Sequence, residues 1–189
     1  EQVRRARHAY YAMVSYIDDK VGKLLETLKR TGFDENTIVV FTSDHGDMLG
    51  ERGMWFKRVF FDWSAKVPLI IFQPGISKGV RITDAASHVD LLPTLMDFGT
   101  NGKAADWVEP IDGRSLRPLL AGGKDAEEST AFVEYTAEGV TGPCCMLRKG
   151  RYKYIYTHGY PDQLYDMSTD PNELRNIPVE TPQTLSSLK

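Results

Sequence analysis

Cysteine is scarce in this chain: there are two in 189 residues, and they are neighbours, Cys144 and Cys145. Successive side chains on an extended strand point to opposite faces, so a disulfide between them would need a strained turn, and both are read as free thiols. That excludes a disulfide framework, matches neither a zinc site nor a Cys-x-x-Cys redox pair, and favours a reducing, cytoplasmic compartment. Long apolar runs are also missing. None approaches the roughly 18 to 20 residues a membrane span needs, and "EQVRRARHAYY" puts charge where a signal peptide needs an apolar core, so no membrane partner is expected. Nor is there an excess of one charge: 23 basic and 26 acidic residues leave a net charge of −3, too balanced for a nucleic-acid surface or a polybasic anchor. There is no internal repeat and no low-complexity segment.

What is present is ordinary globular material, 41% hydrophobic and 26% charged, with clear periodicities. Val3, Ala6, Tyr10, Met13, Val14, Ile17, Val21, Leu24, Leu25 and Leu28 recur at steps of three and four, which predicts a long amphipathic helix over residues 3–30, closed by Gly32. "TIVVFTSD", Thr37 to Asp44, reads as a β-branched strand covered on both faces, and "VPLIIFQPG", Val67 to Gly75, as a second strand. "SHVDLLPTLMDFGT" predicts a short helix, capped by Ser87 or Asp90 and closed by Gly99. From about Ala126, short segments separated by glycine, "TAFVEYT", "CCMLRKG" and "RYKYIYTH", suggest an antiparallel sheet of hairpins, followed by a turn-rich stretch pinned by Leu164 and Tyr165.

The fold class is therefore α/β: a parallel sheet flanked by helices over residues 1–125, and a smaller α+β subdomain with an antiparallel sheet over 126–189. Two or three strands cannot close a core under so long a helix, and the crossovers that parallel neighbours require are not supplied. The chain is thus expected to lack the N-terminal part of its domain.

One short motif suggests chemistry. In "FTSDHGDMLGERGMWFK" the strand runs out into Asp44 and His45, and ligands of open α/β sheets gather at the carboxyl ends of strands. Carboxylate oxygen and imidazole nitrogen both ligate divalent cations, and Gly46 lets the backbone bend closely around one. For a bare Asp-His-Gly, an aspartate capping the following turn, with His45 an ordinary polar residue, is the better explanation.

The longer pattern decides between these. "VSYIDDKVGKLLETLKRTGFDENTIVVFTSDHGDMLGERGMWFK", then "HVDLLPTL", then "QLYDMSTDPNELRN" resemble, in order and across nearly the whole chain, the sulfatase family of the alkaline phosphatase superfamily. The resemblance implies that Asp44 and His45 ligate a divalent cation, calcium by preference with magnesium or manganese as alternatives. It implies that Lys57 reaches the sulfate and the leaving-group oxygen. His45 stands where most members have asparagine, which is similar to the choline sulfatase and phosphonate monoester hydrolase branches.

Family members attack sulfur with a formylglycine made from a Cys-x-Pro-x-Arg type motif. "GPCCMLRKG" has Pro143 before the cysteines and is not that motif, so the nucleophile is expected outside this sequence and the chain alone is expected to be inactive. The stretch from Phe132 to Met167 is most similar to choline sulfatases, and there Glu134 would face a quaternary ammonium with Tyr135 beside it, an arrangement suited to a weakly hydrated cation. The implied activity is hydrolysis of a small sulfate ester, choline-O-sulfate foremost. A phosphonate or phosphate monoester hydrolase and a non-catalytic scaffold are the alternatives, and a homo-oligomer is left open. His88 is read as a cap or core partner, Arg4, Arg5 and Arg7 as a solvated helix face, His158 as a loop residue, and Trp55 as either lining an entrance or packing the loop that carries Lys57.

Overall fold

The computed structural model of the chain describes residues 1–75, 79–103, 110–123, 130–136 and 139–177. It divides into two compact units, Glu1–Ile76 and Ser77–Lys189. The division expected after residue 125 falls outside the described residues.

In the first unit, helix α1 runs from Gln2 to Thr31 and stops where predicted: Gly32 adopts a left-handed conformation (φ 75°) and turns its N–H back to the carbonyls of Leu28 and Lys29. Asp19 and Lys23 pair one turn apart at 2.8 Å on its surface. No residue of α1 is buried. Met13, Val14, Ile17 and Leu24 of the predicted apolar stripe are all at least half exposed, so most of that stripe has no cover within this unit.

Strand β1, Val39–Thr42, pairs with β2, Leu69–Phe72, in the register Val39 opposite Phe72 and Thr42 opposite Leu69. The pairing is antiparallel, whereas helix-then-strand order predicts parallel neighbours. The reason lies in the connection. Residues 43–68 contain only a three-residue 3-10 turn and the four-residue helix α2, Asp62–Ala65, not the crossover helix a parallel neighbour needs. An antiparallel strand beside an otherwise parallel sheet is common in α/β folds. The cover expected on both faces of β1 is incomplete here, for Phe41 is 37% exposed, and its partner β2 leaves Ile70 and Phe72 about half exposed.

In the second unit, helix α3, Leu91–Thr100, follows a 3-10 turn at His88–Asp90. Ser87 and Asp90, read as alternative caps, act together as a capping box, with the Ser87 N–H donating to Asp90 Oδ2 at 2.9 Å. The helix is closed by Asn101 in a left-handed conformation (φ 53°), two residues beyond Gly99, which stays helical; asparagine is one of the few residues besides glycine that adopt that conformation. Asp90 is buried and also accepts the Arg114 N–H at 3.0 Å, while the Thr94 hydroxyl accepts the Leu116 N–H at 2.9 Å. The "HVDLLPTL" segment therefore anchors the chain before helix α4, Arg117–Leu120.

Strands β3 (Thr130–Tyr135), β4 (Cys144–Lys149), β5 (Tyr152–Thr157) and β6 (Gln163–Asp166) form an antiparallel sheet in sequence order, as the hairpin pattern predicts. Cys144, Met146, Ile155, Leu164 and Tyr165 are buried. The turn-rich tail folds back on β6: Asn176 Oδ1 accepts the Leu164 N–H at 2.9 Å, and the Ile177 N–H donates to the Leu164 carbonyl at 2.8 Å. Lys153 and Glu173, each 1% exposed, pair at 2.6 Å beneath it. Among the described residues no helix is long and apolar enough to cross a membrane.

Candidate active site

Asp44, His45 and Lys57 come together at the carboxyl end of β1, although the last is twelve residues from the second. A compact loop makes this possible. Gly46 donates its N–H to the Ser64 carbonyl at 2.7 Å, and a Cβ on Gly46 would overlap the backbone carbonyl of Trp63. Only glycine lets the chain leave β1 pressed against α2. Beyond it, Met48 is fully buried. Its N–H donates to the Phe56 carbonyl at 2.9 Å, and the Gly50 N–H donates to the Met54 carbonyl at 2.8 Å, so the loop closes on itself before Lys57. Asp47 Oδ1 accepts the N–H groups of both Leu49 (3.2 Å) and Phe56 (3.1 Å).

The loop is strained. Leu49, Arg52, Phe56 and Arg58 all have positive φ, at 47°, 54°, 67° and 87°, and each such non-glycine residue costs about 1 kcal/mol or more. Two of them flank Lys57 directly. Arg7, on α1, holds the loop from outside: its Nε donates to the Leu49 carbonyl at 2.9 Å and its guanidinium pairs with Glu51. The sequence reading as a solvated face is corrected on this point, because Arg7 is spent on a loop some forty residues away.

Imidazole geometry sets the chemistry. His45 Nδ1 lies 2.8 Å from the Gly46 carbonyl, which can only accept, so Nδ1 carries the proton and Nε2 presents a lone pair. Lys57 Nζ donates to that lone pair at 2.9 Å. Asp44 Oδ2 stands 3.3 Å from the same Nε2. A protonated imidazole would bond to Asp44 but would set its own N–H against the Lys57 ammonium, so the neutral ring is the consistent assignment. The Asp44 carboxyl is held below the usual carboxylate range, chiefly by the His45 backbone N–H donating to it at 2.9 Å. Asp44 thus caps the turn with one oxygen and leaves the other exposed and charged.

These donors fit a divalent cation: a carboxylate oxygen and an imidazole lone pair converge from one turn, with the imidazole oriented by a carbonyl on its far nitrogen. They do not complete one. Among the described residues no group of three or more His, Cys, Asp or Glu could hold a metal, and a calcium-type cation takes six to eight oxygens or equivalent ligands.

Glu134 and Tyr135 lie on β3 and are opposite Cys145 and Cys144 of β4. Being consecutive on a strand, they project to opposite faces, so they do not form one cage as the sequence reading pairs them. On the face of Glu134 the register instead aligns Cys145 and, beyond it on β5, Tyr156. Burial raises the Cys145 thiol first, and the charges of Glu134 and Asp162 raise it further. Both cysteines are free thiols, as expected. Trp55 lies against Gly50, at 3.2 Å from a Cβ built there, so it packs the loop.

The Sulfatase family model matches residues 1–100, more than half of the chain. The chain belongs to the sulfatase family. It is 46% identical over 184 residues to the choline-sulfatase of Rhizobium meliloti (strain 1021), covering 97% of this chain and 35% of that protein. Arylsulfatase K of Gallus gallus is 34% identical over 198 residues, covering 100% of this chain and 36% of the relative. The chain therefore spans about a third of the length of these relatives. Among solved structures, a phosphonate monoester hydrolase of Agrobacterium radiobacter superposes with a TM-score of 0.79 at 30% identity, covering 96% of this chain and 39% of that one. The α/β, alkaline-phosphatase-like fold class read from the sequence holds. Sulfatases generally use a divalent metal and a formylglycine.

Proposed function

We propose that the whole protein hydrolyses sulfate esters, with choline-O-sulfate as substrate and choline and sulfate as products. The observation that carries the reading is the convergence of Asp44, His45 and Lys57 at the end of β1, on a chain 46% identical to a choline-sulfatase.

Asp44 and His45 would contribute two ligands to a divalent cation, calcium first, which when bound would offset charge on the sulfate oxygens. Lys57 donates a proton-bearing nitrogen toward the leaving-group oxygen, where negative charge develops as the ester bond breaks, and a compact ammonium on a long stem suits that position. Its acceptor here is His45 Nε2, the lone pair a bound cation would take, so with the cation in place the ammonium would be released toward the sulfate. The formylglycine nucleophile and the remaining ligands would come from residues outside this sequence. The exposed apolar stripe of α1 and the open face of β2 would then be covered by the rest of the α/β domain. Glu134 would face the trimethylammonium of choline, a role supported by the resemblance and by its exposed place on β3, with Tyr156 rather than Tyr135 sharing its face.

The second reading is a phosphonate or phosphate monoester hydrolase, favoured by the structural likeness to the Agrobacterium radiobacter enzyme. Rates for choline sulfate and a phenyl phosphonate, measured on the full-length protein, separate the two. Preference for the phosphonate overturns the sulfatase reading. Loss of both activities in a protein without a Cys-x-Pro-x-Arg type motif supports a scaffold.

A further inference from the structure

We infer that Arg7 is a positioning residue: its guanidinium clamps the strained loop 46–58 to helix α1 and so keeps Lys57 beside the Asp44–His45 pair. The inference rests on the reading of Lys57 proposed above and extends it to a residue that touches neither substrate nor metal.

Three observations combine. First, the loop holds four non-glycine residues in left-handed backbone, Leu49, Arg52, Phe56 and Arg58, a conformation that relaxes unless outside contacts fix it. Second, those contacts come from the first two turns of α1. Arg7 Nε donates to the carbonyl of Leu49, itself one of the strained residues, and the same guanidinium pairs with Glu51, bracketing the left-handed turn at Gly50. Val3, one turn earlier on the same helix, lies 3.1 Å from where a Gly50 Cβ would stand, so the helix and the turn are in close contact. Third, the far end of the loop is tied to the near end. Met48 bonds to Phe56 and Gly50 to Met54, so a shift at Leu49 moves Phe56, and Phe56 precedes Lys57. The path from Arg7 to the Lys57 backbone thus runs through one side-chain-to-backbone hydrogen bond, Arg7 to Leu49, one backbone hydrogen bond, Met48 to Phe56, and two strained residues, Leu49 and Phe56.

The guanidinium is suited to this because its planar fork can serve a carbonyl and a carboxylate at once in fixed directions. A lysine at position 7 keeps the charge for Glu51 and loses the directed bond to Leu49. A clamp that only added stability would affect every substrate alike. One that positions Lys57 acts where Lys57 acts, on departure of the leaving group.

The test uses the full-length protein with Arg7→Ala and Arg7→Lys, and Lys57→Ala as reference. Amide hydrogen exchange is followed at Met48, Gly50 and Met54 against Val40 in β1. Steady-state kinetics are followed for 4-nitrophenyl sulfate, whose leaving group needs little help, and phenyl sulfate, whose leaving group needs more. In Arg7→Ala the three loop amides exchange faster while Val40 does not. Its kcat for phenyl sulfate falls on the order of tenfold to a hundredfold, as expected for a catalytic group displaced by about an ångström, with a clearly smaller loss for 4-nitrophenyl sulfate and KM little changed. Arg7→Lys recovers part of both effects. Unchanged loop exchange overturns the clamp, and equal kcat losses on the two esters overturn the positioning. Should Lys57→Ala itself treat the two esters alike, the reading of Lys57 fails, and the exchange arm still decides for or against the clamp.

Discussion

The ammonium of Lys57 lies 2.9 Å from Nε2 of His45, on a ring whose other nitrogen is tied to the Gly46 carbonyl. On the function proposed above, Lys57 would serve the leaving group beside the metal ligands Asp44 and His45, which yields a prediction. Replacing Lys57 by alanine in the full-length protein should lower kcat by about a hundred- to a thousandfold, the usual loss for one donor aimed at developing charge. Lys57→Arg should recover little, since a broad planar fork does not replace a compact ammonium in a turn this tight. His45→Asn, which keeps a lone-pair ligand, should retain part of the activity. A Lys57→Ala protein as fast as the parent would remove Lys57 from the mechanism.

Asp44 is the other half of the cluster, with its side chain 81% exposed. Asp44→Ala should weaken calcium binding and activity together, because an emptied ligand position leaves the cation under-coordinated. Calorimetric calcium affinity equal to that of the parent would count against the assignment.

Part of this was legible in the sequence and part was not, for reasons that differ by residue. Asp44 and His45 could be found because a β-branched strand running into Asp-His-Gly announces both the strand and its open end. Lys57 came only through the family resemblance, because the bonds that fold residues 46–57 back on themselves are mostly between backbone atoms and leave no side-chain pattern. Arg7 was invisible: periodicity ranks it as a polar face, and its partners lie some forty residues away. The direction of the β1–β2 pair could not be read from two apolar runs, which look alike in either sense. The separation of Glu134 from Tyr135 could have been read, since the two-residue period of a strand puts consecutive side chains on opposite faces. What the sequence could not supply was the register that brings Tyr156 to Glu134's side.

That register leads to a test of substrate choice. Glu134→Gln keeps shape and removes charge, so choline sulfate should lose about 1 to 3 kcal/mol, or roughly ten- to a hundredfold in kcat/KM, while a neutral aryl sulfate should not. Tyr156→Ala should share that selectivity and Tyr135→Ala should not. Equal losses for both substrates in Glu134→Gln would make Glu134 structural and leave the choice of choline to overall similarity alone.

Acid should loosen the second unit. The Asp97 carboxyl is held below its usual range first by the Ser115 hydroxyl, at 2.6 Å, and then by Arg117, despite partial burial acting the other way. Asp166 is held low likewise, first by the Ser168 hydroxyl at 2.6 Å. A carboxyl whose folded pKa is depressed contributes its stabilisation in full above the unfolded value, about 4, and loses it as pH falls through the folded value. Urea midpoints should therefore be level from pH 7 to about 5 and decline below about 4, with a shallower decline in Ser115→Ala. A midpoint that stays level to pH 3 would contradict the linkage.

The pair Lys153–Glu173 carries the last prediction, because it is buried on both sides, at 1% exposure each, and closes at 2.6 Å. It ties the tail segment containing Glu173 to β5, and Glu173 holds a left-handed conformation (φ 55°) to reach it. Lys153→Met withdraws the ammonium from a buried carboxylate and should destabilise by about 3 to 5 kcal/mol, whereas adding Glu173→Leu removes the orphaned charge as well and should recover most of the loss. The two variants differ in sign of reasoning: if the pair mattered for its attraction, the double variant would be no better than the single, but if the cost lies in the charge left behind, it must be better. Denaturant unfolding of the parent, the single and the double variants distinguishes these. A double variant as unstable as Lys153→Met would mean that the ion pair itself, and not the avoidance of a lone buried charge, holds the tail on the sheet.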